Sequence, residues 1–196
     1  MVKYKDLVLV ISLLIGLGCA LPVLSSAAQQ ESQPIEQQRE EIRAMANDTL
    51  KRLYTIQPSA EGAIKKAAGY AVFSNFGMKI LLFGGGSGKG IAVTRKGATE
   101  TFMKMIEVQA GFGMGVKKFR LVWVFDQQSD LDKFINSGWE FGGQGTAAAK
   151  ASGQGSAFAG AMSVSPGVWL YQLTDDGLAL ELTVKGSKYF KDDKLK

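Results

Sequence analysis

From Ile35 the positions Ile42, Met45, Ala46, Thr49 and Leu53 recur at three- and four-residue steps, with Glu40, Glu41, Arg43 and Lys51 on the other faces. That period predicts a helix with one apolar stripe. Gln57-Pro58 ends it, Ser59 is placed to cap a second short helix over residues 60–68, and Gly69 is placed to terminate that one. From Tyr70 the period shortens. Residues 70–76, 78–83 and 90–94 are short apolar runs, separated by Gly77 and by a glycine cluster, and read as consecutive antiparallel strands. Residues 99–110 and 119–125 make two more, and Leu121-Val122-Trp123-Val124-Phe125, apolar on both faces, belongs at the centre of the sheet. Ser129 is placed to cap a helix that turns Leu131, Phe134 and Ile135 inward and stops at Gly138. Near the C-terminus Leu178, Leu180, Leu182 and Val184 alternate with Ala179, Glu181, Thr183 and Lys185, and Asp175-Asp176-Gly177 joins that strand to residues 168–174 as a hairpin. Residues 141–167 are nearly all Gly, Ala, Ser and Gln. Small-residue strands are preferred there over a loop, because long structureless loops are uncommon inside compact domains. The pattern as a whole predicts an α+β fold in which N-terminal helices pack on a curved, Gly-rich antiparallel β-sheet or small barrel.

The first 28 residues change the picture. Lys3 and Lys5 precede an apolar run over residues 7–17, the arrangement of an export signal, and Ser26-Ala27-Ala28 offers a cleavage site. Gly16-Leu17-Gly18-Cys19 offers the alternative of lipoprotein processing at Cys19, although the preferred aliphatic residue three places before the cysteine is missing. A membrane-spanning helix fits less well, since Pro22 and Ser25-Ser26 interrupt the roughly 20 apolar residues a span needs. Cleavage after Ala28 would leave 168 residues with formal charge +4, enough chain to bury a sizeable core. The expected organisation is a signal peptide over 1–28, a polar segment and amphipathic helix over 29–58, the main domain over 59–190 and a charged tail over 191–196. The expected address is periplasmic or otherwise in the cell envelope.

Composition then excludes chemistry. There is no histidine and Cys19 is the single cysteine, so Ser-His-Asp and Cys-His catalysis, His-ligated zinc, iron–sulfur clusters and an internal disulfide framework are all ruled out. Asp126, Asp130, Asp132, Asp175, Asp176, Asp192 and Asp193 fall at strand ends, helix starts and turns, with nothing to hold a carboxylate pair across a cleft. No enzymatic activity, cofactor or metal is expected.

Gly84-Gly85-Gly86-Ser87-Gly88-Lys89-Gly90 invites comparison with a phosphate loop. The spacing refuses it: a Walker motif with Lys89 at its lysine needs glycine at Phe83, Ser or Thr at Gly90, and a helix after it, whereas residues 91–94 are strand-like. The dinucleotide fingerprint fails at both Gly84 and Gly111. What remains is a wide β-turn carrying one lysine. Gly111-Phe112-Gly113-Met114-Gly115 alternates bare backbone with large apolar groups, which suits burial or contact with an acyl chain, and Lys117, Lys118 and Arg120 follow. Residues 62–150 carry twelve basic and six acidic side chains, whereas 31–61 carry a net −2. Positive charge beside glycine-rich apolar surface suits anionic phospholipid, and equally a solvated face. No nucleic-acid recognition motif is present.

Taken in order, Gly69-Tyr70-Ala71-Val72-Phe73, the glycine run 84–90, Gly111-Phe112-Gly113-Met114-Gly115, the apolar strand 121–125, Gly138-Trp139, Tyr171 and the strand 177–186 resemble the SYLF lipid-binding domain family. The likeness runs over about three quarters of the chain and is nearest to the exported bacterial branch, related to the yeast actin-patch protein family. It implies a non-enzymatic module that binds acidic phospholipids through a basic surface and an amphipathic segment. Arg95-Lys96-Gly97-Ala98 stands where eukaryotic members carry Trp-x-x-Pro, which argues against actin binding and phosphoinositide preference. The expected function is therefore binding of anionic phospholipid at an envelope membrane, with Lys89, Lys104, Lys117, Lys118 and Arg120 gathering phosphate oxygens and Phe112 and Met114 giving apolar contact. The rivals are a protein-interaction scaffold of the envelope and an integral outer-membrane β-barrel.

Overall fold

A computed structural model describes residues 34–80, 83–110, 115–141, 158–179 and 186–196. Helix α1 (Ile35–Ile56) buries Ile42, Ala46, Thr49 and Leu53 of the predicted stripe, with Leu50 beside them and Met45 only partly buried, and ends where the Gln57 N–H bonds to Leu53 O at 2.7 Å. Helix α2 (Ser59–Lys66) follows at once and buries Ala60, Ala63 and Ile64. Ser59 is its first residue and not its cap, because Pro58 already occupies the N-cap position with a helical φ. Gly69 likewise terminates nothing: the chain turns extended at Ala67, and Gly69 opens the first strand.

The described residues form nine strands of one sheet: β1 (Gly69–Ile80), β2 (Phe83–Thr94), β3 (Thr99–Ala110), β4 (Gly115–Phe125), β5 (Trp139–Phe141), β6 (Met162–Ser165), β7 (Val168–Thr174), β8 (Gly177–Ala179) and β9 (Ser187–Lys191). Their order is β5-β9-β3-β2-β1-β4-β7-β6, with β8 also on β7, and every pairing is antiparallel. The sheet is curled, with N-terminal helices packed on it, and the fold is α+β as the pattern predicts. Between β4 and β5 lie helix α3 (Gln128–Lys133) and a π-helical turn (Phe134–Gly138). Ser129 falls inside α3 and Gln127 takes the cap position, while Gly138, at φ +68°, makes the stop.

Each face of the sheet carries its own core. On one face α1 and α2 cover Val72, Ile91, Phe102, Val122, Val124 and Tyr171. On the other, α3 and the π-helical turn deliver Leu131, Phe134 and Ile135 onto Phe73, Met103, Met105, Leu121, Trp123, Phe125 and Tyr189. The ring of Tyr189 lies 5.0 Å from Phe73, 5.2 Å from Trp123 and 5.2 Å from Phe134, within the range of favourable aromatic packing. This double burial explains why all five residues of 121–125 are fully buried.

Two sequence expectations need correction here. Gly77 does not divide two strands, and residues 84–90 are not a wide turn: β1 and β2 are single twelve-residue strands, paired without interruption from Gly69↔Thr94 to Ile80↔Phe83. Glycine serves here by lacking a side chain. A Cβ on Gly90 would overlap the Phe73 ring and the Val72 carbonyl, and one on Gly88 would overlap the Ser74 carbonyl and crowd the Met105 side chain. The left-handed conformation is instead needed in the β2–β3 turn, at Gly97 (φ +92°) and Ala98 (φ +46°).

Residues 34–196 form one compact unit. The segment 191–196 is more than a charged tail, since Asp192 and Leu195 are buried and a 3-10 turn (Asp193–Leu195) packs its leucine into the α1 core. The export signal with Cys19, the pair Phe112 and Met114, the strand over 180–184 and most of the small-residue stretch 141–167 lie outside the described residues.

Candidate functional site

α1 lies across the strands, and its side chains mark its path. Arg43 pairs with Glu100 at the start of β3, Gln38 accepts from Lys89 of β2, Asp48 pairs with Arg120 of β4, and Arg52 donates to the carbonyls of Thr174 and Asp175 at the end of β7. Beneath it runs an apolar rung of cross-strand partners, Phe102–Ile91–Val72–Val122–Tyr171. Two residues further along each strand, on the same face, the rung reads Lys104–Lys89–Ser74–Arg120–Leu173. The helix covers the first rung and flanks the second, so the sheet's chemistry changes from apolar to cationic where its cover ends.

Beyond this flank is a cavity of about 600 Å³, lined by Arg52, Ser74, Ser87, Lys89, Lys104, Ile106, Lys118, Arg120 and Phe190 among others. Ile106, 44% exposed, and Val108, 64% exposed, leave an apolar strip on β3 beside the charges. Lys89 and Lys104 stand directly opposite one another on neighbouring strands, an arrangement that is unfavourable unless anions intervene. Anionic partners are present for part of the row. Lys104 Nζ lies 2.8 Å from Asp192 Oδ1, and that carboxylate, 3% exposed, also accepts the Lys194 N–H at 3.1 Å. Arg120 pairs with Asp48 and donates to Thr49 Oγ1 at 3.2 Å. The guanidinium holds the Asp48 carboxyl below the usual carboxylate range, through its hydrogen bond first and its charge second. Lys89 Nζ donates to the neutral amide of Gln38 at 3.3 Å.

Of the residues singled out from the sequence, Lys89, Lys104, Lys118 and Arg120 thus come together in one groove. Lys117 pairs in register with Gly77, one residue out of phase with Lys118 and Arg120 along β4. Sequence reasoning missed Arg52, Ser74 and Ser87, and missed Asp48 and Asp192 as internal partners of the cations. It also missed Glu107, which is buried on the opposite face and accepts from the Asn75 amide. A second cavity of about 340 Å³ lies at the other end of α1, where Arg39 and Arg43 are engaged by Glu36, Glu100 and the Leu195 and Lys196 carbonyls.

Fold and groove together define an α+β domain with a two-cored antiparallel sheet that gathers cations at the open flank of its crossing helix. Over 155 residues the chain is 36% identical to a protein of Aeromonas veronii described as "Beta cell expansion factor A". That stretch is 79% of this chain and 57% of the relative, so the chain spans little more than half of the relative's length. The sequence matches no family model.

Proposed function

We propose that this domain is a SYLF-like, non-enzymatic module that binds anionic phospholipids at a cell-envelope membrane after export. The observation that carries this reading is the convergence of Lys89, Lys104, Lys118 and Arg120, with Arg52, on one groove beside the exposed Ile106. Phosphate oxygens would meet the cations and the hydroxyls of Ser74 and Ser87, while acyl chains would meet the β3 strip. Five described cationic side chains line the groove or its wall; Asp175 also lines it, and Asp48 and Asp192 pair with two of the cations, so the formal sum over these eight side chains is +2. At ~1 kcal/mol for each net charge near an anionic surface, electrostatics would contribute about 2 kcal/mol, roughly a thirtyfold preference over a neutral bilayer. Binding of that size is reversible and salt-sensitive.

A lipid-facing barrel finds less support, because among the described residues 71–73 of β1 and 121–125 of β4 lie against packed cores on both faces. Sedimentation with phosphatidylglycerol-containing vesicles and with pure phosphatidylcholine vesicles, at two salt concentrations, tests the reading. The expected result is binding to the anionic vesicles alone, reduced at high salt and lost in a Lys89→Glu, Lys118→Glu variant that still folds. Indifference to anionic vesicles at low salt refutes it.

A further inference from the structure

The two carboxylates that hold groove cations are built differently. Asp192 is 3% exposed, its carboxylate is shared with the Lys194 N–H, and its own N–H bonds to Phe102 O at 2.9 Å, so it belongs to the framework. Asp48 is 67% exposed on the solvent side of α1. An ion pair so open to water adds little to stability, and α1 is held down by Ala46, Leu50 and Leu53 whatever Asp48 does. Arg120, for its part, keeps its bond to Thr49 Oγ1, a hydroxyl anchored in turn to Met45 O at 2.7 Å. The guanidinium is therefore positioned with or without the carboxylate, and a fork of donors on a fixed base is suited to exchanging one oxyanion for another.

We propose that Asp48 is an internal competitor for the groove's ligand: its carboxylate occupies Arg120 in the free protein, and an anionic lipid headgroup takes its place by rotation of one side chain, with α1 staying where it is. This rests on the anionic-lipid reading above. Release of Asp48 raises the formal sum over the described groove side chains from +2 to +3, so the carboxylate sets both the resting affinity and the minimum charge a membrane must present before it is bound. Weakly anionic surfaces are then refused.

The experiment compares the full-length protein with Asp48→Asn, Asp48→Ala and Asp132→Asn variants in titrations against phosphatidylcholine vesicles containing a fraction of phosphatidylglycerol. Asp132 is exposed on α3, over the opposite face of the sheet, and its substitution changes the net charge equally. Both Asp48 variants are expected to bind about two- to fivefold more tightly, Asp132→Asn is expected to match the wild type, and adding Arg120→Gln should erase the gain. Equal binding by wild type and the Asp48 variants, or an equal gain in Asp132→Asn, overturns the competitor role and leaves the lipid reading standing. Failure of every form to bind at low salt overturns the lipid reading and this inference with it.

Discussion

Replacing Lys104 by alanine and replacing Lys89 by alanine remove the same charge from opposed positions of one rung, yet the structure predicts different consequences for stability. Lys89 reaches the neutral Gln38 amide across an exposed contact, so Lys89→Ala should leave stability within about 0.5 kcal/mol, as for most surface substitutions. Lys104 is the ammonium that compensates a carboxylate 3% exposed. Removing one partner of a fully buried pair costs about 3–5 kcal/mol. Lys104 is itself 33% exposed, so water can enter the vacated space, and a loss of about 2 kcal/mol is expected once that screening is allowed for. For a domain of this size that corresponds to a fall in Tm of roughly 4–8 °C. Thermal unfolding followed by circular dichroism at neutral pH measures both variants. The double variant Lys104→Ala, Asp192→Asn should recover most of the loss, because asparagine keeps an oxygen for the Lys194 N–H without the stranded charge. Equal Tm values for Lys89→Ala and Lys104→Ala, or no recovery in the double variant, would show that Asp192 is not the buried anion this reasoning requires.

Gly90→Ala should destabilise by about 1–3 kcal/mol through overpacking against Phe73 and the Val72 carbonyl, whereas Gly62→Ala should raise Tm, since an added methyl in α2 meets nothing within 4 Å and alanine favours helix; urea denaturation separates the two. At alkaline pH, burial pushes the Tyr54 and Tyr171 hydroxyls up to about 12. The fold therefore favours the neutral phenol, and the stability this contributes is complete below the ordinary value near 10 and lost as pH rises from there through 12. Absorbance at the phenolate band should rise together with loss of the circular dichroism signal over that interval; tyrosine ionisation with the fold intact at lower pH would refute it.

The parts of the fold legible in the chain are those where a single period dominates. α1 spans Ile35–Ile56 with the predicted stripe inward, β3 and β7 match their expected bounds, and the double-sided apolar run became a strand between two cores. The glycine run was misread because glycine has two uses that a sequence does not distinguish. It permits left-handed turns, and it also clears space for neighbouring side chains, which is its role at Gly88 and Gly90. The groove was half legible. Its cations stand out one by one, but their meeting depends on register, and the cue was spacing: Ser74, Lys89, Lys104 and Arg120 follow one another at intervals of 15, 15 and 16 residues, the repeat of one long strand and its turn. Asp48 and Asp192 gave no such cue, because they reach the row from a helix crossing the strands and from the chain's last turn.

A charge array written once per strand, at right angles to the chain's own direction, has an uneven tolerance for change. Residues gained or lost at the tips of the connections leave every cation opposite its neighbour. A single residue inserted in the middle of β2 would hand Lys89 to the aromatic interior and bring Gly90 out to solvent, spoiling two surfaces at once. Tuning of this groove is therefore open to point substitution and nearly closed to length variation within its strands.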